Sequence, residues 1–477
     1  MSGKKEKFSK KENNTESDVP PTFYDKVTGN ITLNIMKLVE LVLERYQLLK
    51  EIESKTIKKD KNEKIKFILP ESIEWNKDGQ ENIEGINNDI ASHFLLALYT
   101  CKNETDMKWF IRHETTLYKE RIDKRGKYNM YKILSFLGVK LDKYDFKKNK
   151  DDQLVNKILF RMENNSKTPE NIYFCKFEDA LDLVSSHEFF LNKGNIYIPE
   201  NELHRLFTLV FQQKMEKTMI KIRTKKDSIK KDIRIREILS MFEKEKERIS
   251  KEEAVKMEKE MPNDEKLRTM NDVDNFSERC FPLCMNLIER HINQYSHLTH
   301  FGRLQYSLFL KGAGLPVDEA LKFFQKKYEK KTPIDKFEKE YAYNIRHSYG
   351  LEGKRVSYTP YTCEKIINMN APMGRECHGC PFKTYSIENL RKILNTCNLT
   401  PLDIEEILSK KKTNEYQLAC VKYFEAKFPK IQGEGIGIHP NKYFSSAMKV
   451  LKNISSNKIN VDENAKEDHS MDIEENS

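Results

Sequence analysis

The cysteines constrain this chain more than any other feature. Seven of the nine stand between residues 280 and 420, at positions 280, 284, 363, 377, 380, 397 and 420. Only Cys101 and Cys175 occupy the first 275 residues. Thiols used merely as small buried hydrophobes would scatter more evenly. The lysine-rich start, MSGKKEKFSKKENN, has no apolar leader, so the thiols are expected to stay reduced. A soft metal ion or an iron–sulfur cluster needs several thiolates converging on one place. The second half of the chain is therefore expected to fold around such a centre.

Local spacing puts forward its own ligands. Cys280 and Cys284 in ERCFPLC form one close pair, and Cys377 and Cys380 in GRECHGCPF form another. Together they make a four-thiol zinc site, with 92 residues between the pairs. A redox role for Cys377-x-x-Cys380 fits less well, because no βαβ pattern surrounds it. Cys397, in LNTCNLT, reads as a plain buried thiol.

The fold class is mainly α. Seventeen glycines and 15 prolines are too few for a sandwich or barrel, which needs frequent turns, and 33% of residues are charged. Ile35, Leu38, Val39, Val42, Tyr46 and Leu49 recur at helical spacing. Residues 89–122 read as two helices, on which His93 and His113 are structural. DALDLV followed by FFLNKGNIYI reads as a short helix and a β-hairpin turning at residues 192–195, a small α/β subdomain. Segment 242–266 alternates charge signs at i, i+4 spacing and has little to bury. The expected order is a basic tail (1–24), a helical N-terminal domain with the α/β piece (25–220), a charged linker (221–270), a helical C-terminal domain (271–452) and an acidic tail (453–477). No run of 18 apolar residues exists, so no membrane span is expected.

A net charge of +10, reached despite the acidic residues 456–477, permits a nucleic-acid partner. Two segments sharpen this. In residues 297–324 a helix carries Leu304, Leu308 and Leu310 as an apolar stripe. Arg303, Ser307 and Lys311 share another face, with Tyr306 beside them. Two cations and a phenol there suit phosphate contacts and stacking. Residues 341–363 combine five tyrosines with Arg346, His347, Lys354 and Arg355. No phosphate-cradling Gly-rich loop, nucleophile elbow or His-Glu-x-x-His motif is present. The chain reads as a binder that serves an enzyme, not as the enzyme.

These residues fall in an ordered string of motifs. They are FPLCM (281–285), HLTHFGRLQYSLFLKG (297–312), YNIRHSYG (343–350), EGKR (352–355), YTPYTC (358–363), HGCPF (378–382), YQLAC (416–420) and HPNKYF (439–444). ASHFLLALYTC, WFIRHE and FEDALDL extend the string into the first half. In them the chain resembles the large-subunit family of eukaryotic DNA primase, over roughly residues 25–450.

The resemblance implies a helical C-terminal domain built around a [4Fe–4S] cluster, with Cys284, Cys363, Cys380 and Cys420 as ligands. It implies a non-catalytic subunit acting in the nucleus. The N-terminal domain would dock the small catalytic primase subunit and DNA polymerase α with its accessory subunit. The C-terminal domain would hold template DNA and the 5′-triphosphate end of the RNA primer, supporting initiation and limiting primer length. His297, His300, Arg303 and Lys311 are the implied triphosphate contacts. Tyr306, Tyr341, Tyr343, Arg346 and His347 would line the nucleic-acid side. Thr299 departs from the pattern, standing where another basic residue is expected. The rival readings are a zinc-stabilised nucleic-acid-binding protein using Cys280, Cys284, Cys377 and Cys380, and a scaffold of a replication complex.

Overall fold

The computed structural model describes residues 19–24, 34–58, 67–77, 80–125, 128–144, 171–185, 187–429 and 436–453. Most of the basic tail (1–18), the segment 145–170 and the acidic tail from 454 lie outside the described residues. The chain divides into two compact units, residues 1–52 with 65–242 and residues 53–64 with 243–477. The expectation of a mainly helical protein holds.

The first unit is built on α1 (Ile35–Lys58, through Ile52), α2 (Ile83–Thr100), α3 (Glu104–Arg125) and α4 (Leu203–Ile229). Phe207, Phe211, Met215 and Met219 recur every four residues along α4, and all are buried. One stripe of this long helix thus covers the core while its lysines face outward. A small sheet completes the unit. Strands β1 (Asp142–Tyr144), β2 (Ile172–Lys176), β3 (Phe190–Asn192) and β4 (Asn195–Pro199) lie in the order β1-β2-β4-β3, antiparallel throughout. The hairpin expected at 192–195 is β3–β4. Its turn residues, Lys193 and Gly194, have φ of 46° and 78°, as a two-residue hairpin loop requires.

A buried ionic network fixes the helices of this unit. Arg45 donates to Asp89 at 2.6 Å and also pairs with Glu114, and Arg121 reaches Asp89 at 2.8 Å. Trp75 and the Tyr24 hydroxyl donate to the same carboxylate at 2.8 and 2.7 Å. Burial opposes ionisation of Glu114, but Arg45 and His93 outweigh it and bring its pKa down to about 2. His93 stacks on Tyr24 at 3.8 Å and meets Glu114 at 3.1 Å. That is the structural role its lone position suggested.

The charged region 221–270 is helical for most of its length, through the end of α4 and α5 (Ile233–Glu260). The boundary between the two units falls inside α5, after Phe242. On its exposed surface Arg248 pairs with Glu245 and Glu252 at helical spacing.

The second unit contains α6 (Met270–Cys280), α7 (Leu283–Tyr295), α8 (His300–Gly312), α9 (Val317–Tyr328), α10 (Tyr343–Ser348), α11 (Cys363–Asn368), α12 (Ile387–Asn395), α13 (Pro401–Lys412), α14 (Tyr416–Lys427) and α15 (440–453). Starts are well marked. Thr269 and Asp272 form a capping box at α6, Thr400 and Asp403 another at α13, and Pro282 and Pro316 precede α7 and α9. The core gathers Phe281, Tyr306, Phe309, Phe323, Phe324 and Phe444. α8 is its central rod, buried along nearly its whole length.

That burial corrects the expected two-faced helix. Arg303, Ser307 and Lys311 do share a side of α8, but they are only 9%, 2% and 8% exposed. Long cationic stems fill apolar space while their heads find backbone carbonyls.

Candidate functional site

Four of the seven clustered cysteines meet. Cys284, Cys363, Cys380 and Cys420 line one recess, walled also by Pro282, Ile366, Phe382, Tyr416, His439 and Tyr443. Each thiol comes from a different segment. Cys284 is the second residue of α7, Cys363 opens α11, Cys380 caps the short helix Pro381–Thr384, and Cys420 lies in α14. Cys280 is buried in the core, and Cys377 points its sulfur to the Leu287 carbonyl at 3.6 Å. Neither lines the recess, so the four thiols of the zinc alternative are not brought together.

Four thiols in one recess are the donor set that an iron–sulfur cluster uses. Burial raises the pKa of all four, that of Cys380 to about 11. Backbone N–H groups work against it, from Met285 at Cys284 and from Lys383 and Phe382 at Cys380. Helix N-terminal N–H groups thus offset part of the burial at Cys284 and Cys380, and a bound cation would reverse the rest. Two polar atoms in the same wall, the Tyr443 hydroxyl and His439 Nε2, are buried without a hydrogen-bond partner among the described residues. The residues present fit an iron–sulfur cluster.

The second cluster of predicted residues lies at the N-terminal end of α8. Ser296, in the left-handed region at φ 49°, ends α7 and turns the chain into His297. The His297 Nε2 lies 3.4 Å from the Tyr341 hydroxyl. Burial and then the Arg303 guanidinium lower the His297 pKa. Arg303 stacks over Tyr341 at 4.9 Å and donates Nη1–H to the Leu298 carbonyl at 3.1 Å. A guanidinium has five N–H donors, so capacity for further acceptors remains. His300 is exposed in the first turn of α8. Thr299 caps that turn by position only, since its hydroxyl is buried and bonds nothing among the described residues. First-turn N–H groups flanked by two histidines and an arginine make an anion-receptive end.

This end is joined to the thiol loop. The Gly379 N–H donates to Gln305 Oε1 at 2.8 Å. Gly302 packs so closely on the loop that an added Cβ would lie 2.4 Å from the Cys377 carbonyl oxygen. One helix thus carries the cationic end and braces the loop that presents Cys380.

Two predicted contacts are corrected. Tyr306 is fully buried, its hydroxyl donating to Glu289 at 2.7 Å, so it offers no surface to a ligand. Lys311 gives all three ammonium hydrogens to the protein: to Ser357 Oγ at 2.6 Å and the carbonyls of Tyr358 and Ser348 at 2.7 and 3.2 Å. It is a strut between α8 and the 348–358 segment. Lys311→Met should therefore cost about 1–3 kcal/mol in a urea melt, by leaving those acceptors bare. It should weaken triphosphate-ended and hydroxyl-ended duplexes alike.

The remaining predicted residues lie on an aromatic shelf. Tyr343, exposed on α10, stacks on His347 at 6.0 Å, and His347 meets Tyr358 at 5.0 Å. Arg346 is half-buried between Glu338 and Glu352, at 3.5 and 3.0 Å, so much of its charge is compensated. Tyr358 was missed by the sequence reading, although it belongs to the quoted YTPYTC. Its exposure, 44%, was the missing fact. Tyr443 and His439, within HPNKYF, were missed as recess residues because nothing local ties them to the thiols.

Comparison with known proteins agrees with this architecture. Residues 274–444 match the family described as the C-terminal domain of the eukaryotic and archaeal DNA primase large subunit. Residues 28–228 match the corresponding N-terminal domain. The chain is 31% identical to the DNA primase large subunit of Homo sapiens, over 88% of this chain and 82% of that one. It is 29% identical to that of Saccharomyces cerevisiae, over 90% and 86%. With that of Dictyostelium discoideum it shares 28% identity over 98% and 99%. The chain belongs to the DNA primase large subunits, proteins of DNA replication, and carries both of the family's domains.

Proposed function

We propose that this large subunit is the regulatory partner of a separate catalytic primase subunit, and that its C-terminal domain grips template DNA and the 5′-triphosphate end of the nascent RNA. The carrying observation is the convergence of four distant thiols beside a cation-rich helix end. Cys284, Cys363, Cys380 and Cys420 hold a [4Fe–4S] cluster. When bound, that group supplies iron–thiolate bonds that staple four segments into one body.

His297, His300, Arg303 and the first N–H groups of α8 receive the triphosphate. Arginine's fork matches phosphate oxygens, and the neighbouring imidazoles add donors where charge is dense. Thr299 stands where the family pattern suggests a basic residue, so the grip has one cation fewer. Tyr341 orients Arg303 from below. Tyr343, His347 and Tyr358 offer ring faces to unpaired bases, with Arg346 as a compensated neighbour. Tyr306 and Lys311 act behind this surface by fixing α8. The N-terminal domain (25–220) docks the small subunit and DNA polymerase α with its accessory subunit, and the region 221–270 joins it to the C-terminal domain (271–452). The assembly works in the nucleus, supporting initiation and limiting primer length.

The test is anaerobic purification of the full chain, with iron and zinc quantified and primer–template binding measured over a salt series. About four irons per chain, a brown colour and salt-sensitive binding that prefers a 5′-triphosphate end are expected. A colourless protein with stoichiometric zinc would overturn the cluster, and binding blind to the 5′ end would overturn the triphosphate role.

A further inference from the structure

The recess wall contains one donor that the protein itself leaves unused and a second that it engages poorly. Tyr443 is 0% exposed and lines the recess, and its hydroxyl has no hydrogen-bond partner among the described residues. Its ring is held edge-on by Phe424 at 4.9 Å and near-parallel by Tyr423 at 6.4 Å. After burial and Tyr423, the charges that the hydroxyl feels are those of Cys420, the core thiol Cys280 and Cys284, the first and last being assigned ligands. His439 is the second donor. Its Nδ1 accepts the Asn441 N–H at 3.1 Å, which leaves the ring hydrogen on Nε2. That Nε2 has the Pro360 carbonyl near it, in a contact too poorly aligned to count as a full hydrogen bond.

A buried hydroxyl without a partner is disfavoured, and folded proteins keep few of them. Such a hydroxyl in this wall, beside four thiols and the poorly engaged Nε2–H of His439, points to a bound group rich in acceptors. A phosphate or a carboxylate would be repelled by four thiolates, whereas the sulfurs of a cluster are acceptors held by those same thiolates. We propose that the Tyr443 hydroxyl donates a hydrogen bond to a cluster sulfur, with His439 Nε2–H as the second donor of the wall. The inference rests on the cluster assignment made above. No bond is made or broken and no proton leaves the tyrosine. Its effect is to withdraw electron density from sulfur, which stabilises the reduced cluster and raises its potential.

The experiment uses the full chain, wild type and Tyr443→Phe, purified anaerobically. Iron content and visible absorption are read first, then iron–sulfur stretching bands by resonance Raman in H₂O and D₂O, then the midpoint potential. Wild type should show a D₂O shift in those bands. Tyr443→Phe should keep its iron, lose part of that shift and move to a more negative potential. If Tyr443→Phe loses iron or fails to fold, a ring-fluorinated tyrosine at 443 takes its place. It keeps the shape and donates more strongly, so the potential should move the other way. Iron-loaded wild type and variants with identical D₂O shifts and potentials would overturn the proposal while leaving the cluster standing. Wild type without iron would instead overturn the cluster assignment, and this proposal with it.

Discussion

Cys363→Ser, made in the full chain and purified anaerobically, should come off the column without brown colour and with most of its iron lost. Serine oxygen is a poor ligand for iron held among thiolates. Cys363 is also the first residue of α11, and its N–H is bonded to the Ile438 carbonyl at 2.9 Å. Ligand, helix start and chain crossing therefore coincide at one residue. Among the described residues the second unit has no disulfide to fall back on, its cysteines all being free thiols. Because cluster binding and folding are one equilibrium, the loss should exceed about 4 kcal/mol, the range reserved for lost metals and similar insults. Thermal melting followed by circular dichroism reads it. Cys377→Ser is the control and should retain full iron content, since its sulfur bonds a backbone carbonyl outside the recess. A Cys363→Ser protein with wild-type colour and melting temperature would refute the ligand assignment.

Arg303→Ala should discriminate between primer ends. A hydrogen bond to a charged group contributes about 1.5–3 kcal/mol, so affinity for a 5′-triphosphate duplex end should fall roughly 10- to 150-fold. Affinity for the matching 5′-hydroxyl end should change little. Arg303 also packs on Tyr341 and holds the Leu298 carbonyl, so truncation alone confounds contact with support. Arg303→Lys separates them. It preserves the charge and much of the stem, loses the planar fork, and should recover only part of the triphosphate preference. Fluorescence anisotropy at fixed salt measures both ends. Equal losses for both would sink the triphosphate role.

Much of the fold was legible because its signals are local. The hairpin follows from a two-residue turn that tolerates left-handed backbone at Lys193 and Gly194. The helix starts at Thr269, Pro282, Pro316 and Thr400 carry signals of the same local kind. The site was less legible because its logic is tertiary. Cys377 and Cys380 look like a pair, yet Gly379 between them adopts φ 82° and reverses the chain, sending one sulfur toward Leu287 and the other to the recess. Charge periodicity in α8 correctly placed Arg303, Ser307 and Lys311 on one side. It could not reveal that this side is packed, because burial depends on the 341–363 segment that closes over it. The resemblance to the primase large subunits chose four thiols that spacing could not, and the recess places those four together.

The recess also sets a schedule for biosynthesis. Its first and last thiols, Cys284 and Cys420, are 136 positions apart. At translation speeds of about 5–20 residues per second, roughly 7–27 s pass between their syntheses. For that interval the earlier thiols exist without their last partner, and no folding of the early helices alone can finish the site. On the proposed assignment, iron and sulfide can be held by all four thiols only once a nearly complete domain has been made.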